Sequence, residues 1–187
     1  TSLATAARRG LPDAIVVAGG SPVTPLPPPA ARLAEWVPQN WPPIPTLVSI
    51  CTGAFVLGEA GLLDGRNATT HWRFLGELRA RFPRARVVDE GIFVRDGRVW
   101  TSAGISAGID LVLALLEMAH GRSAAMEVAR RLVLFLRRSG RQAQWSAMLK
   151  RQEAEPGRLR DVTSFVIEHI DEPLPVERLA RTVGMSV

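Results

Sequence analysis

The sequence is poor in residues that form covalent or metal cross-links. Only one of its 187 residues is a cysteine, Cys51, and its three histidines lie far apart at His71, His120 and His169. A single cysteine excludes an internal disulfide and a multi-cysteine metal site. Histidines so widely spaced do not predict a dedicated zinc site. We therefore expect neither a metal nor a cofactor.

Long apolar runs are also missing. No stretch reaches the roughly 18 uninterrupted apolar residues of a membrane span, and residues 1–13 lack the apolar core of a signal peptide. These absences predict a cytoplasmic protein without a membrane partner.

Lysine is nearly absent as well: Lys150 is the sole lysine in a chain of net charge +5. This charge permits contact with nucleic acid, but the arginine bias of a GC-rich genome would give the same composition.

Strand and helix patterns alternate over most of the chain. The predicted strands are 14–17, 46–50, 86–88, 92–94 and 98–101, and the predicted helices are 31–37, 53–60, 71–82, 106–119 and 123–136. We expect helix 106–119 to be buried nearly all round and the proline-rich segments 21–30 and 36–46 to lack regular structure. The alternation predicts an α/β fold with a mostly parallel sheet flanked by helices on both faces. We place this domain at 1–136 and a linker at 137–157.

The segment LVSICTGAFVLGEAG, 47–61, predicts a nucleophile elbow. A buried strand leads directly into Cys51, and a helix of small residues follows it. Gly53 leaves room for that helix to pack close to the strand, and the start of the helix would favour negative charge on the sulfur. The backbone N–H of Thr52, with a second from Gly20 or Ser21, would face an oxyanion formed there. The alternative is that the cysteine is a small buried hydrophobic residue.

Four motifs together resemble the PfpI-type branch of the class I glutamine-amidotransferase-like, flavodoxin-like fold. They are VVAGG at 16–20, ICTG at 50–53, TTH at 69–71 and, after the Asp96–Gly97 turn, TSAG at 101–104. The resemblance implies that Cys51 and His71 face each other in a ligand pocket, with Gly19, Gly20, Ser21 and Thr52 around them. It also implies that the chain begins part-way through the domain, so the family's first strands and its acidic partner of the cysteine are missing. Asp89 and Glu90 are the nearest candidate orienting acids, and a solvated turn is the alternative for both.

Residues 158–187 have a different pattern. An apolar stripe at helical spacing ends at Pro173, a second helix follows Pro175, and Gly184 precedes Ser186, which is suited to cap a third helix. This arrangement predicts the start of an all-α helix-turn-helix domain. The string EPLPVERLARTVGMS resembles AraC-type regulators, and its combination with a PfpI-type domain resembles the GlxA-type members. DNA contacts are then expected at Arg178, Arg181 and Ser186, and the chain is expected to stop where the recognition helix would begin.

Two classes of function remain open. The first is a DNA-binding transcription regulator whose PfpI-type domain senses a small-molecule effector, such as an amino acid or a quaternary amine. Trp36, Trp41, Trp72 or Trp100 would suit a quaternary amine, although packing in the core or in an interface is the favoured interpretation of each. The second is a cysteine-dependent amidase, hydratase or glyoxalase-like enzyme that uses Cys51 and His71. The family resemblance also implies a homodimer.

Overall fold

The computed structural model describes residues 12–20, 25–135, 137–144 and 157–185. In chain order the elements are β1 Ala14–Val17, α1 Pro28–Asn40, β2 Thr46–Ile50, α2 Gly53–Glu59, β3 Asn67–Ala68, a 3₁₀ turn Trp72–Phe74, α3 Leu75–Arg81, β4 Arg86–Val87, β5 Phe93–Asp96, β6 Val99–Ser102, α4 Ile105–Arg131, α5 Gly157–Glu168 and α6 Val176–Thr182. The chain divides into two compact units, Thr1–Gln144 and Trp145–Val187.

The first unit is built on a four-stranded sheet in the order β1-β2-β6-β5. Strands β1, β2 and β6 are parallel, and β5 is antiparallel because it is joined to β6 by the turn after Asp96. Strands β3 and β4 form a second, two-stranded parallel sheet. The prediction of a mostly parallel sheet flanked by helices is therefore confirmed.

The sheet separates two apolar clusters. Leu47 and Val99 face a large cluster that contains Phe55 of α2 and Leu78 of α3. On the opposite face, Val48 and Trp100 pack against Leu111 of α4. Successive strand residues point to opposite faces, so both faces of β2 and β6 are apolar, as is typical of a sheet covered on both sides.

The proline-rich segments are more regular than their composition predicts. Helix α1 begins at Pro28 and continues past Pro38 to Asn40, so the expectation of irregular structure is wrong for residues 28–30 and 36–40. A proline in the first turn of a helix removes an N–H that has no intrahelical partner in any case. The buried residues Ala34 and Val37 then fix the helix against the core.

Three of the predicted helices also differ in detail. In place of the single helix predicted for 71–82, a short 3₁₀ turn follows His71 and leads into α3. Trp72 is 46% exposed and does not lie on the predicted buried stripe. Residues 105–131 form one run that is interrupted at Gly121, whose φ of 85° breaks the helix. Val112 and Met118 are 45% and 54% exposed, so the first half of this run is not buried all round.

The first unit also includes residues 137–144, which the sequence assigned to a linker. The Arg138 guanidinium and backbone N–H bind the buried Asp110 carboxylate at 2.8 and 2.9 Å. The backbone N–H of Ile92 donates to the carbonyl of Gly140 at 2.9 Å. This stretch is therefore packed on the sheet domain as far as Gln144, eight residues beyond the predicted boundary at 136. None of the described helices is long and apolar enough to cross a bilayer.

Candidate functional site

Cys51 occupies a strained turn at the carboxyl end of β2. Its φ is 56°, in the left-handed region that non-glycine residues rarely adopt. Its backbone N–H donates to the carbonyl of Ser102 at 2.9 Å, and its own carbonyl accepts a hydrogen bond from the Thr70 hydroxyl at 2.8 Å. The thiol-bearing residue is thus held by two neighbouring segments, in the strand–turn–helix arrangement of a nucleophile elbow.

Gly53 allows α2 to start directly after this turn. A Cβ at position 53 would overlap the carbonyl oxygen of Val17 and lie 3.1 Å from that of Ala18. The first residue of α2 therefore contacts the end of β1, whereas the sequence predicts close packing against the strand that leads into Cys51, β2. This close approach brings Cys51 next to the turn that follows β1.

The Gly19–Gly20 turn is hydrogen-bonded to the elbow through a side chain. The N–H of Gly20 donates to the Thr52 hydroxyl at 2.8 Å, and that hydroxyl donates to the Gly20 carbonyl at 2.7 Å. Thr52 is 5% exposed. The expectation that the Gly20 N–H is available to an oxyanion is wrong for this conformation, because the Thr52 hydroxyl already binds it. Ser21 lies outside the described residues.

A cavity of about 650 Å³ opens beside the thiol. Cys51, Gly19 and Gly20 line one end of it. The remainder of its wall is apolar and is formed by β2, α4 and the turn after β1: Ala18, Ile50, Gly108, Ile109, Val112, Leu113, Leu116, Val128 and Leu132. A volume of this size accommodates a small metabolite.

His71 directly follows Thr70, which binds the backbone of Cys51, but it does not line this cavity. It caps the 3₁₀ turn, where its Nδ1 accepts a hydrogen bond from the Arg73 backbone N–H at 3.3 Å. Its ring lies against Gly104 and 5.3 Å from the ring of Trp72. The structure records no hydrogen bond between the Cys51 thiol and the His71 ring, both of which it describes. The expected cysteine–histidine pair is therefore not hydrogen-bonded in the described structure, and the two residues are connected through Thr70, whose hydroxyl donates to the Cys51 carbonyl.

Sequence reasoning missed a buried polar cluster behind the elbow. Thr69, Thr70 and Thr101 are each at most 1% exposed, and the Thr69 N–H donates to the Thr101 hydroxyl at 2.8 Å. The side-chain amide of Gln144 donates to the Thr69 hydroxyl and to the Thr70 carbonyl, each at 3.0 Å. The resemblance through the TTH motif was the one available signal for the threonines. Nothing in the sequence pattern indicated Gln144.

The candidate tryptophans fall into two groups. Trp41 and Trp100 are 7% and 5% exposed and belong to the apolar clusters, and Trp36 packs against the larger cluster. Trp72 alone among the four is both substantially exposed and adjacent to a candidate site residue, His71.

The two candidate orienting acids, Asp89 and Glu90, are surface residues. Asp89 forms an ion pair with Arg79, and both Asp89 and Glu90 are exposed. The solvated-turn interpretation therefore accounts for these two carboxylates, and neither is bonded to His71 in the described structure.

In the second unit, Arg178 stabilises the pair of helices. Its guanidinium binds the Glu172 carboxylate at 2.7 Å and the Pro173 carbonyl at 3.2 Å, and lies 5.3 Å from the centre of the Phe165 ring. The hydrogen bond and the charge of Arg178 lower the pKa of Glu172. Arg181 is exposed and contacts the Glu177 carbonyl. Ser186 lies outside the described residues.

Comparison with known proteins places these features in a family context. Residues 2–118 match the DJ-1/PfpI family. The HTH-type transcriptional regulator CdhR of Pseudomonas aeruginosa is 36% identical over 171 residues, which make up 91% of this chain and 50% of CdhR. Isonitrile hydratase of Pseudomonas putida is 40% identical over 119 residues, which make up 62% of this chain and 49% of that enzyme. The chain thus spans about half the length of these curated relatives.

Similarity to a solved structure also supports the assignment of the fold. An AraC family transcriptional regulator from Pseudomonas putida superposes with a TM-score of 0.58 at 28% identity, and the match covers 71% of this chain and 69% of that one. The resemblance drawn from the four sequence motifs is therefore confirmed at the level of the fold.

Proposed function

Because the chain belongs to the DJ-1/PfpI family and is similar to helix-turn-helix regulators, we propose that it is the sensor-bearing part of a transcription regulator. Its first unit binds a small-molecule effector, and its second unit begins an AraC-type DNA-binding domain. The regulator acts in the cytoplasm, where it reaches DNA.

The observation that carries this proposal is the extent of the match to CdhR. The match leaves out about 9% of the chain, which is fewer residues than the second unit contains, so it includes much of that unit. The match to isonitrile hydratase covers 62% of the chain and needs no residue of the second unit. A sensor joined to a DNA-binding domain explains both units, whereas an enzyme explains the first alone.

The elbow is the proposed effector site. Cys51 and the Gly19–Gly20 turn supply polar groups at one end of an apolar cavity, which is the composition of many small-molecule sites. His71 and the exposed ring of Trp72 lie beside the elbow. An aromatic face attracts quaternary ammonium groups, so amino acids and quaternary amines are the first compounds to test.

A cysteine-dependent hydratase, amidase or glyoxalase-like enzyme is the second candidate, and the 40% identity to isonitrile hydratase favours it. Cys51 would then be the nucleophile and His71 the acid or base. The hydrogen bonds around Thr52 leave this candidate with fewer donors, because they occupy the N–H of Gly20. The backbone N–H groups of Thr52 and Ser21 would then have to stabilise the oxyanion.

A thermal-shift screen of the intact protein against amino acids and quaternary amines tests the sensor. We expect a compound that raises Tm in the wild type and in His120→Ala, which changes an exposed histidine on α4, but not in His71→Ala. The same compound should alter DNA binding by the intact protein, with an affinity that falls as salt rises. Turnover of the compound, lost in Cys51→Ser, would instead establish the enzyme.

The proposed DNA contact also needs its own variant. Arg178 is engaged within the helix pair, so Arg181 is the better candidate for a phosphate contact. We expect Arg181→Gln to weaken DNA binding about equally on all sequences.

A homodimer is also part of the proposal, and sedimentation of the intact protein should reveal it.

A further inference from the structure

The last residue of the first unit is bonded directly behind the elbow. Gln144 ends this unit, and the chain passes from it into the second unit at Trp145. Its side chain is not in solvent, because the amide nitrogen donates to the Thr69 hydroxyl and to the Thr70 carbonyl, each at 3.0 Å. The last residue of the first unit is thereby bonded to the segment that carries His71.

The chemistry of these partners fixes the orientation of the amide. A side-chain amide has two N–H donors and one carbonyl acceptor, whereas the backbone carbonyl of Thr70 only accepts. The NH₂ group of Gln144 must therefore face Thr70, and both of its donors are used. Its Oε1 atom is buried without a hydrogen-bond partner among the described residues. The attachment consequently depends on the two N–H donors alone.

Thr70 joins this attachment to the cysteine. Its carbonyl accepts from Gln144, and its hydroxyl donates to the carbonyl of Cys51 at 2.8 Å. Thr70 is fully buried and precedes His71 directly in the sequence. Thr70 thus connects Cys51 and His71, the two candidate site residues, to Gln144, where the chain leaves the first unit.

The rest of the exit segment has contacts of its own. Arg137 pairs with Glu117, Arg138 binds Asp110 and Ser106, and the Gly140 carbonyl accepts from the Ile92 N–H. Within the described residues 137–144, Gln144 is the side chain whose hydrogen bonds reach the segment that carries His71. Gln144 therefore provides the side-chain connection between residues 137–144 and the elbow, beside a backbone connection that runs from Ser102 and Ala103 through Ile92 to Gly140.

We propose that Gln144 couples the elbow to the segment that leads into the second unit. A group bound at Cys51 displaces the cysteine carbonyl and with it Thr70, and this weakens the hydrogen bonds of Gln144 and releases the exit segment. This inference rests on the proposed function, since it describes how an occupied sensor would signal to the DNA-binding domain. Gln144 is a positioning residue and contacts neither the cavity nor the thiol.

Alkylation of the one cysteine provides a test that requires neither DNA nor a known effector. The intact protein is treated with iodoacetamide, and hydrogen exchange is measured at the backbone amides of Ile92 and Arg138, which report docking of the exit segment. We expect alkylation to reduce the protection of both amides in the wild type. The same response is expected in Gln142→Met, which changes an exposed glutamine two residues away.

Gln144→Met keeps the approximate volume but removes both donors, so we expect it to lose the response to alkylation. If this variant does not fold, Thr70→Val serves instead, because it removes the hydroxyl that binds Cys51 and leaves Gln144 in place. The coupling is refuted if alkylation leaves wild-type exchange unchanged, or if Gln144→Met or Thr70→Val responds as the wild type does. A protein that binds no DNA would refute the proposed function and leave this exchange result standing.

Discussion

Replacement of Gly53 by alanine tests the geometry on which the elbow depends. The added Cβ would overlap the Val17 carbonyl oxygen and lie 3.1 Å from that of Ala18, and both are backbone atoms that cannot rotate away. Overfilling a packed site costs about 1–3 kcal/mol, which exceeds the helix-propensity gain of about 0.5–1 kcal/mol expected for alanine over glycine. We therefore expect Gly53→Ala to destabilise the first unit and to shift the elbow away from β1.

The matched control is Gly76→Ala in α3, where the new Cβ would meet no atom within 4 Å. This variant should be as stable as the wild type or more stable by about 0.5–1 kcal/mol. For a chain of this size, each kcal/mol of lost stability lowers Tm by about 2–4 °C. Calorimetry should therefore find the Tm of Gly53→Ala below that of the wild type by about 2–12 °C. If Gly53→Ala melts with or above Gly76→Ala, α2 does not approach β1 as described.

Three further predictions concern strain, a buried carboxylate and pH. Cys51→Gly should exceed Cys51→Ala in stability by up to about 1 kcal/mol by urea denaturation, because glycine relieves a left-handed backbone that costs an alanine about 1–2 kcal/mol; equal stabilities would contradict the strain. Asp110→Asn should lower stability by about 1.5–3 kcal/mol, because it removes the charge that Arg138 binds, and an unchanged denaturation midpoint would count against this contact. Because the pKa of Glu172 is lowered by Arg178, this pair stabilises the second unit above the ordinary glutamate pKa, and its contribution is lost as pH falls through the lowered value. A carboxyl titration by NMR should find the ordinary pKa restored in Arg178→Gln, and a titration that does not change would exclude the pair.

Local patterns were sufficient to predict the sheet and the position of the elbow. The predicted strands 14–17 and 46–50 are short apolar runs, and residues adjacent in sequence are enough to identify them as strands. The structure gives both strands the predicted bounds. A glycine was expected at position 53 for close packing on the strand that precedes the helix, but the contact that requires it is with the end of β1. Pro28 was misjudged because proline is well tolerated in the first turn of a helix.

The contacts that decide how the elbow works are long-range, and the sequence could not reveal them. The Thr52 hydroxyl binds a residue 32 positions away, and Gln144 binds one 74 positions away. Neither pairing produces a periodicity or a motif. The lining of the cavity depends in the same way on where α4 crosses β2, so His71 was expected on a wall that Ile50 and apolar residues of α4 occupy.

The hydrogen bonds around Cys51 favour a site that transmits over a site that catalyses, whereas its strained backbone suits both, since a catalytic nucleophile elbow is strained as well. A left-handed cysteine persists only where its surroundings hold it, and here Ser102 and Thr70 bind its backbone while Thr52 ties the next residue to Gly20. These bonds occupy the N–H of Gly20, one of the two candidate second donors to an oxyanion. They also join the backbone of Cys51 to Thr70, and hence to the residue at which the chain leaves the domain. An enzyme gains nothing from that connection, whereas a sensor joined to a DNA-binding domain depends on one.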